Sequence, residues 1–225
     1  MQKLLLFVLL AFPLSVISSE FNKNLQSECS KGPKTKESRY SFAKSGSINA
    51  SNLTIMGINV PNNSMKDLAT ILPKPLISDD QPGCASCSDY ACYLTKDEST
   101  ALIFYRYAAW DLNGFEILKA SKDSLPIQCI STRLEGESIL TESGIGLGLT
   151  KAEVSKRLDL KDVEGKVVFS QQKLMEPEIM EQHIQMMGSN SVECDYFYVD
   201  ATTTVIAEYD ETGLSKYSVR YTESM

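Results

Sequence analysis

The feature that most limits what this chain can fold into is a faint internal duplication. Thr54-Ile-Met-Gly57-Ile58-Asn-Val60, followed by Ser64-Met-Lys-Asp67-Leu68 and Leu72, returns as Thr141-Glu-Ser-Gly144-Ile145-Gly-Leu147, Thr150-Lys-Ala-Glu153-Val154 and Leu158. The spacing is 87 residues from Thr54 to Thr141 and from Ile58 to Ile145, then 86 from Ser64 to Thr150 and from Leu72 to Leu158, so the first copy carries one extra residue in its turn. Two copies of one supersecondary unit predict shared scaffold and binding surfaces rather than a single buried reaction centre.

Each copy enters a helix through a polar cap. Ser64 and Thr150 offer hydroxyls to free backbone N–H groups, and Asp67 and Glu153, three residues on, place negative charge at the positive helix end. Leu68 and Leu72, like Val154 and Leu158, then fall on one face. Pro73 and Pro75 stop the first helix. Alternating, aromatic and β-branched runs at Tyr90–Thr95, Thr100–Tyr107, Gly114–Lys119 and Ile127–Leu134 read as an antiparallel sheet. In the second copy, Gly165–Ser170 reads as a strand, Tyr196–Val199 pairs with Thr202–Ala207, and Gly213–Tyr221 closes the set. Pro177 to Gly188 reads as an inserted helix absent from the first copy. The expected class is α+β, two tandem repeats of a short helix packed on an antiparallel sheet and stabilised by disulfides. Residues 1–19 form a signal peptide, 20–51 an N-terminal arm and strand, 52–137 the first repeat and 138–225 the second.

The signal-peptide reading rests on Lys3, the apolar run from Leu4 to Ile17 and the small residues Ser18 and Ser19. That run is short for a membrane span and is broken by Pro13. Cys29, Cys84, Cys87, Cys92, Cys129 and Cys194 all follow it, and an even count in an oxidising compartment means disulfides, with the pairing left open. The expected location is periplasmic or secreted, without an integral membrane anchor. A formal charge of -7 disfavours nucleic acid as a partner.

Gly144-Ile-Gly-Leu-Gly-Leu-Thr150-Lys-Ala-Glu153-Val154, the late strand ending in Tyr217-Ser-Val-Arg-Tyr221, and more weakly the first copy, resemble the secreted β-lactamase inhibitor protein and related small outer-membrane assembly lipoproteins. That resemblance implies tandem helix-loop-sheet units. No contact residue carries over, and the cysteine cluster and Met-rich helix depart from the pattern.

No catalytic constellation stands out. Cys84-Ala-Ser-Cys87 has redox spacing but sits in an acidic, turn-rich stretch that favours neither thiolate nor helix. His183 is the only histidine, and it lies beside the ordinary apolar stripe of Met180, Ile184 and Met187, so neither a metal nor a cofactor is expected. No Gly-x-Ser-x-Gly elbow presents a serine. The glycine run before Thr150 has the wrong spacing for a phosphate loop. Acidic pairs such as Asp79/Asp80 and Glu135/Glu137 read as solvated loops, and Asn49, Asn52 and Asn62 begin glycosylation sequons. Aromatics near a hairpin tip, Tyr105, Tyr107 and Trp110 with Asp111, are the candidate partner contacts. The expected function is non-enzymatic binding of another protein, a secreted enzyme or toxin, as an inhibitor or immunity protein acting by steric occlusion. The alternatives are an envelope assembly factor and a thiol-disulfide oxidoreductase using Cys84 and Cys87.

Overall fold

A computed structural model describes residues 29, 44–45, 48–60, 62–74, 88–107, 112–120, 125, 128–174, 182, 194 and 198–224. In chain order the strands are β1 (Lys44–Ser45), β2 (Thr54–Ile55), β3 (Ile58–Asn59), β4 (Ser88–Leu94), β5 (Thr100–Tyr107), β6 (Leu112–Lys119), β7 (Ile130–Ser131), β8 (Gly165–Leu174), β9 (Tyr198–Asp210) and β10 (Gly213–Ser224). Helix α1 (Met65–Leu68) precedes β4, and α2 (Lys151–Arg157) precedes β8.

The α+β class of two helix-on-antiparallel-sheet repeats is overturned. The described residues are mostly strand, with short helices of four and seven residues. One mixed sheet of eight strands runs in the order β1-β8-β9-β10-β6-β5-β4-β7, beside the small β2-β3 pair. The reason is size. Helix α1 rises about 6 Å and α2 about 10 Å, too little to cover three paired strands that each run more than about 20 Å. Strands β6 and β10, one from each copy, instead pair antiparallel, Phe115 opposite Val219 and Ile117 opposite Tyr217, so both halves bury one common face. The outer pairs are parallel: β1, from the N-terminal arm, lies on β8 of the second copy, and β7, at the end of the first, lies on β4. Compactness likewise groups Ser38–Gln171 with Asp200–Ser224, across the boundary between the copies, and Met1–Glu37 with Gln172–Val199 and Met225. In the latter unit the Tyr198 hydroxyl donates to the Cys29 carbonyl and Cys29 is bonded to Cys194.

Individual strands also differ from expectation. Of the expected hairpin arm Tyr196–Val199, Tyr198 and Val199 are described, and they are not paired with Thr202–Ala207: β9 runs without a break through buried Asp200 and Ala201. Of the described residues 128–134 in the expected Ile127–Leu134 strand, only Ile130 and Ser131 are strand. Of the inserted helix around His183 only Gln182 is described, helical and exposed, and of the N-terminal arm and strand residues 20–28, 30–43 and 46–47 lie outside the described residues.

The duplicated segments build matching turns and caps. Gly57 and Gly144 adopt φ of +78° and +81°, the left-handed region that glycine enters without steric penalty. Ser64 N–H donates to Asp67 at 2.7 Å, and Thr150 N–H donates to Glu153 at 2.8 Å. Those backbone bonds, reinforced by the cap hydroxyls, hold both carboxyls below their ordinary range. Their contribution to stability is therefore complete above the ordinary carboxylate pKa and is lost as pH falls through the lowered folded value. Thr150 Oγ also accepts from Glu153 N–H at 3.3 Å. Thr150→Ala is expected to cost about 1 kcal/mol in urea unfolding; an unchanged midpoint would show that α2 is held by its packing alone.

The common core brings Leu68, Leu72, Val154 and Leu158 from the helical segments against Tyr93, Leu102, Phe104, Phe115, Val205, Tyr217 and Val219 of the sheet. An antiparallel bridge between Ile55 and Thr141 and a bond from Glu142 N–H to the Thr54 carbonyl, 2.9 Å, tie the turns of the two copies together.

Candidate functional site

The sheet's second face holds the expected contact Tyr105. Period-two alternation places Tyr90, Cys92, Ile103, Tyr105, Glu116, Ser218 and Arg220 together there. Tyr105 is only 7% exposed. Its ring meets Tyr90 edge-on at 5.2 Å, and the Arg220 guanidinium sits 3.0 Å from its centroid. Gly114 lies opposite both, where a Cβ would fall 2.8 Å from Arg220 Cδ. Burial, opposed by Arg220, pushes the Tyr105 phenol up to about 12. Beside it Glu116, itself buried, pairs with Lys216 at 3.4 Å. Tyr105 thus fills a sheet face and presents little free surface. The Tyr107 side chain, Trp110 and Asp111 lie outside the described residues.

Among the described residues two cysteine pairs are bonded, Cys29–Cys194 and Cys92–Cys129. Cys84, Cys87 and His183 lie outside the described residues. Among the described residues no group of three or more His, Cys, Asp or Glu side chains converges. The glycine run serves the fold: Gly148 N–H donates to the Leu214 carbonyl and Leu214 N–H to the Leu149 carbonyl, both 2.8 Å. Of the sequons, Asn52 is 1% exposed and its amide donates to the Arg157 carbonyl, whereas Asn49 and Asn62 are exposed. Glu135 pairs with Lys96 at 3.7 Å, and Glu137 is exposed.

A groove of about 460 Å³ opens where the turn after α1 faces the chain leaving β7. One wall is Ile71 and Pro73, the other Ser131, Arg133 and Leu134. The first wall forms because Leu72 N–H closes on the Leu68 carbonyl at 2.8 Å and turns Leu72 inward, which leaves Ile71 45% exposed. The second is fixed by Thr132, whose N–H and hydroxyl both donate to the Leu94 carbonyl, at 2.9 and 2.7 Å, and by Lys96 N–H donating to the Leu134 carbonyl. With Ser131 opposite Leu94 in a parallel register and Thr132 bonded to Leu94, alternation turns the N–H and C=O of Ser131 away from the sheet. Among the described residues no strand pairs with this side of β7, which is an open sheet edge.

The second copy provides an internal control. The 86-residue offset that superposes Leu72 on Leu158 sets Ile71 on Arg157. Arg157 is exposed and donates to the Ser143 and Gly144 carbonyls. The scaffold therefore accepts a charged residue here, and the exposed isoleucine belongs to the first copy alone. Comparing the copies at the position just before Leu72 and Leu158 was the sequence signal for this site. No family model, curated protein or solved structure matches the chain.

Proposed function

We propose that the chain is a secreted protein-binding module without chemistry of its own, which blocks an enzyme or toxin by occluding it. The observation that carries this reading is the exposed Ile71 in a groove beside the open β7 edge, at a position where the other copy has Arg157. Apolar side chains lining a groove beside a free strand edge suit contact with a partner chain. The two disulfides fit a non-cytoplasmic compartment. Delivery there through residues 1–19, into a periplasm or the medium, belongs to the proposal, as does the scaffold resemblance to β-lactamase inhibitor protein.

The test is capture from periplasmic extract or culture fluid on the immobilised, disulfide-intact chain, followed by assay of what is retained. One stoichiometric enzyme whose activity falls when the chain is added is the expected result. Recovery of envelope-assembly components alone, or of an enzyme left fully active, would replace this reading with a scaffolding one.

A further inference from the structure

We propose that the groove beside β7 takes an extended internal segment of the partner protein, added as a strand across Ser131, with an apolar side chain against Ile71 and an acidic side chain on Arg133. This deepens the protein-binding reading above and rests on it.

Three features select that occupant. Ser131 presents a donor and an acceptor from one residue, the requirement for pairing with a continuing strand; a chain terminus would need clustered donors instead. Ile71, Pro73 and Leu134 line the space beside that edge, so a side chain projecting from the added strand is received by apolar surface. Arg133 is exposed, and no carboxylate pairs with it among the described residues, although the chain carries a net charge of -7. A guanidinium left free on an acidic protein complements a carboxylate from outside. A net charge of -7 on each chain disfavours a second copy as the occupant.

The experiment is selection of a phage-displayed random heptapeptide library on the disulfide-intact full chain, then titration of a selected synthetic peptide. Expected are sequences with alternating apolar residues and one Asp or Glu, and slowed amide exchange at Ser131 in the complex. Affinity is expected to fall on the order of tenfold or more with Arg133→Glu and with Ile71→Glu. Both positions are exposed, and the thermal unfolding of each free variant verifies its fold. No enrichment, or peptides indifferent to both substitutions, overturns strand addition. A dimer in solution that Ile71→Glu dissolves also overturns it, because a second copy is then the occupant. An enzyme captured equally by wild type and both variants refutes this groove while leaving the protein-binding reading intact, whereas capture of no enzyme at all refutes that reading.

Discussion

Replacing Cys92 and Cys129 together with alanine is expected to lower unfolding stability by about 3–4 kcal/mol and to abolish peptide binding at the β7 edge. The bridge spans 37 residues. Without it the unfolded chain regains the freedom that closing a loop of that length removes, and the chain-entropy relation gives the magnitude above. The local effect follows from the shortness of β7, which the bridge anchors from the Cys129 side while the Thr132–Leu94 and Lys96–Leu134 bonds hold the chain that leaves it. The strand is two residues long and meets β4 only at Tyr93/Ile130 and Leu94/Ser131. Cys129 immediately precedes it, and Cys92 is buried on the second face against Ala101 and Ile103. Alanine is the replacement of choice because a serine hydroxyl at a site 3% exposed would add a desolvation penalty of its own. Urea unfolding reads the global term. Amide exchange at Thr132, whose N–H binds the Leu94 carbonyl, reads the local one. Stability reduced with Thr132 still protected would show that β7 docks without the bridge and would leave the groove intact.

The sequence made the local elements legible and left their assembly hidden, for a physical reason visible at particular residues. The caps Ser64/Asp67 and Thr150/Glu153 and the left-handed turns at Gly57 and Gly144 act within a few residues, so composition and spacing announce them. Alternation at 100–107 and 213–221 likewise located β5 and β10. It also tells which residues share a face, but not which strand lies alongside. The pairing of Phe115 with Val219 joins positions 104 residues apart, and no local preference encodes it. The parallel contacts of β1 and β7 are shorter than any periodic signal. Tyr105 illustrates the limit for sites: an aromatic near a hairpin tip suits a contact surface, yet Arg220, over a hundred residues later, lies across its ring. The groove was partly legible. Ile71 against Arg157 is a difference between copies that the duplication exposes, whereas its juxtaposition with Arg133 depends on where β7 docks.

Because the halves share one sheet, a deletion in the core of the first should destabilise the second equally. Phe115→Ala is expected to cost about 3–5 kcal/mol in a single unfolding transition. Phe115 is fully buried on β6, lies between Phe104 of β5 and Val219 of β10, and its ring meets that of Tyr217 at 6.2 Å. Its loss removes contacts on both sides of the junction between the copies, in a core too dense for the surroundings to close over the gap. A loss of that size is a large part of the stability of an ordinary domain, about 5–15 kcal/mol. The discriminating measurement is hydrogen exchange under native conditions at Phe104 in the first half and Val205 in the second. If β6 and β10 weld one cooperative core, both amides lose the same protection, because both open only with the whole sheet. Tandem domains would behave differently: Phe104 would exchange faster while Val205 kept its wild-type rate. That second pattern would sink the shared core, and the antiparallel register from Lys216/Leu118 to Arg220/Gly114 is the structural ground for expecting the first.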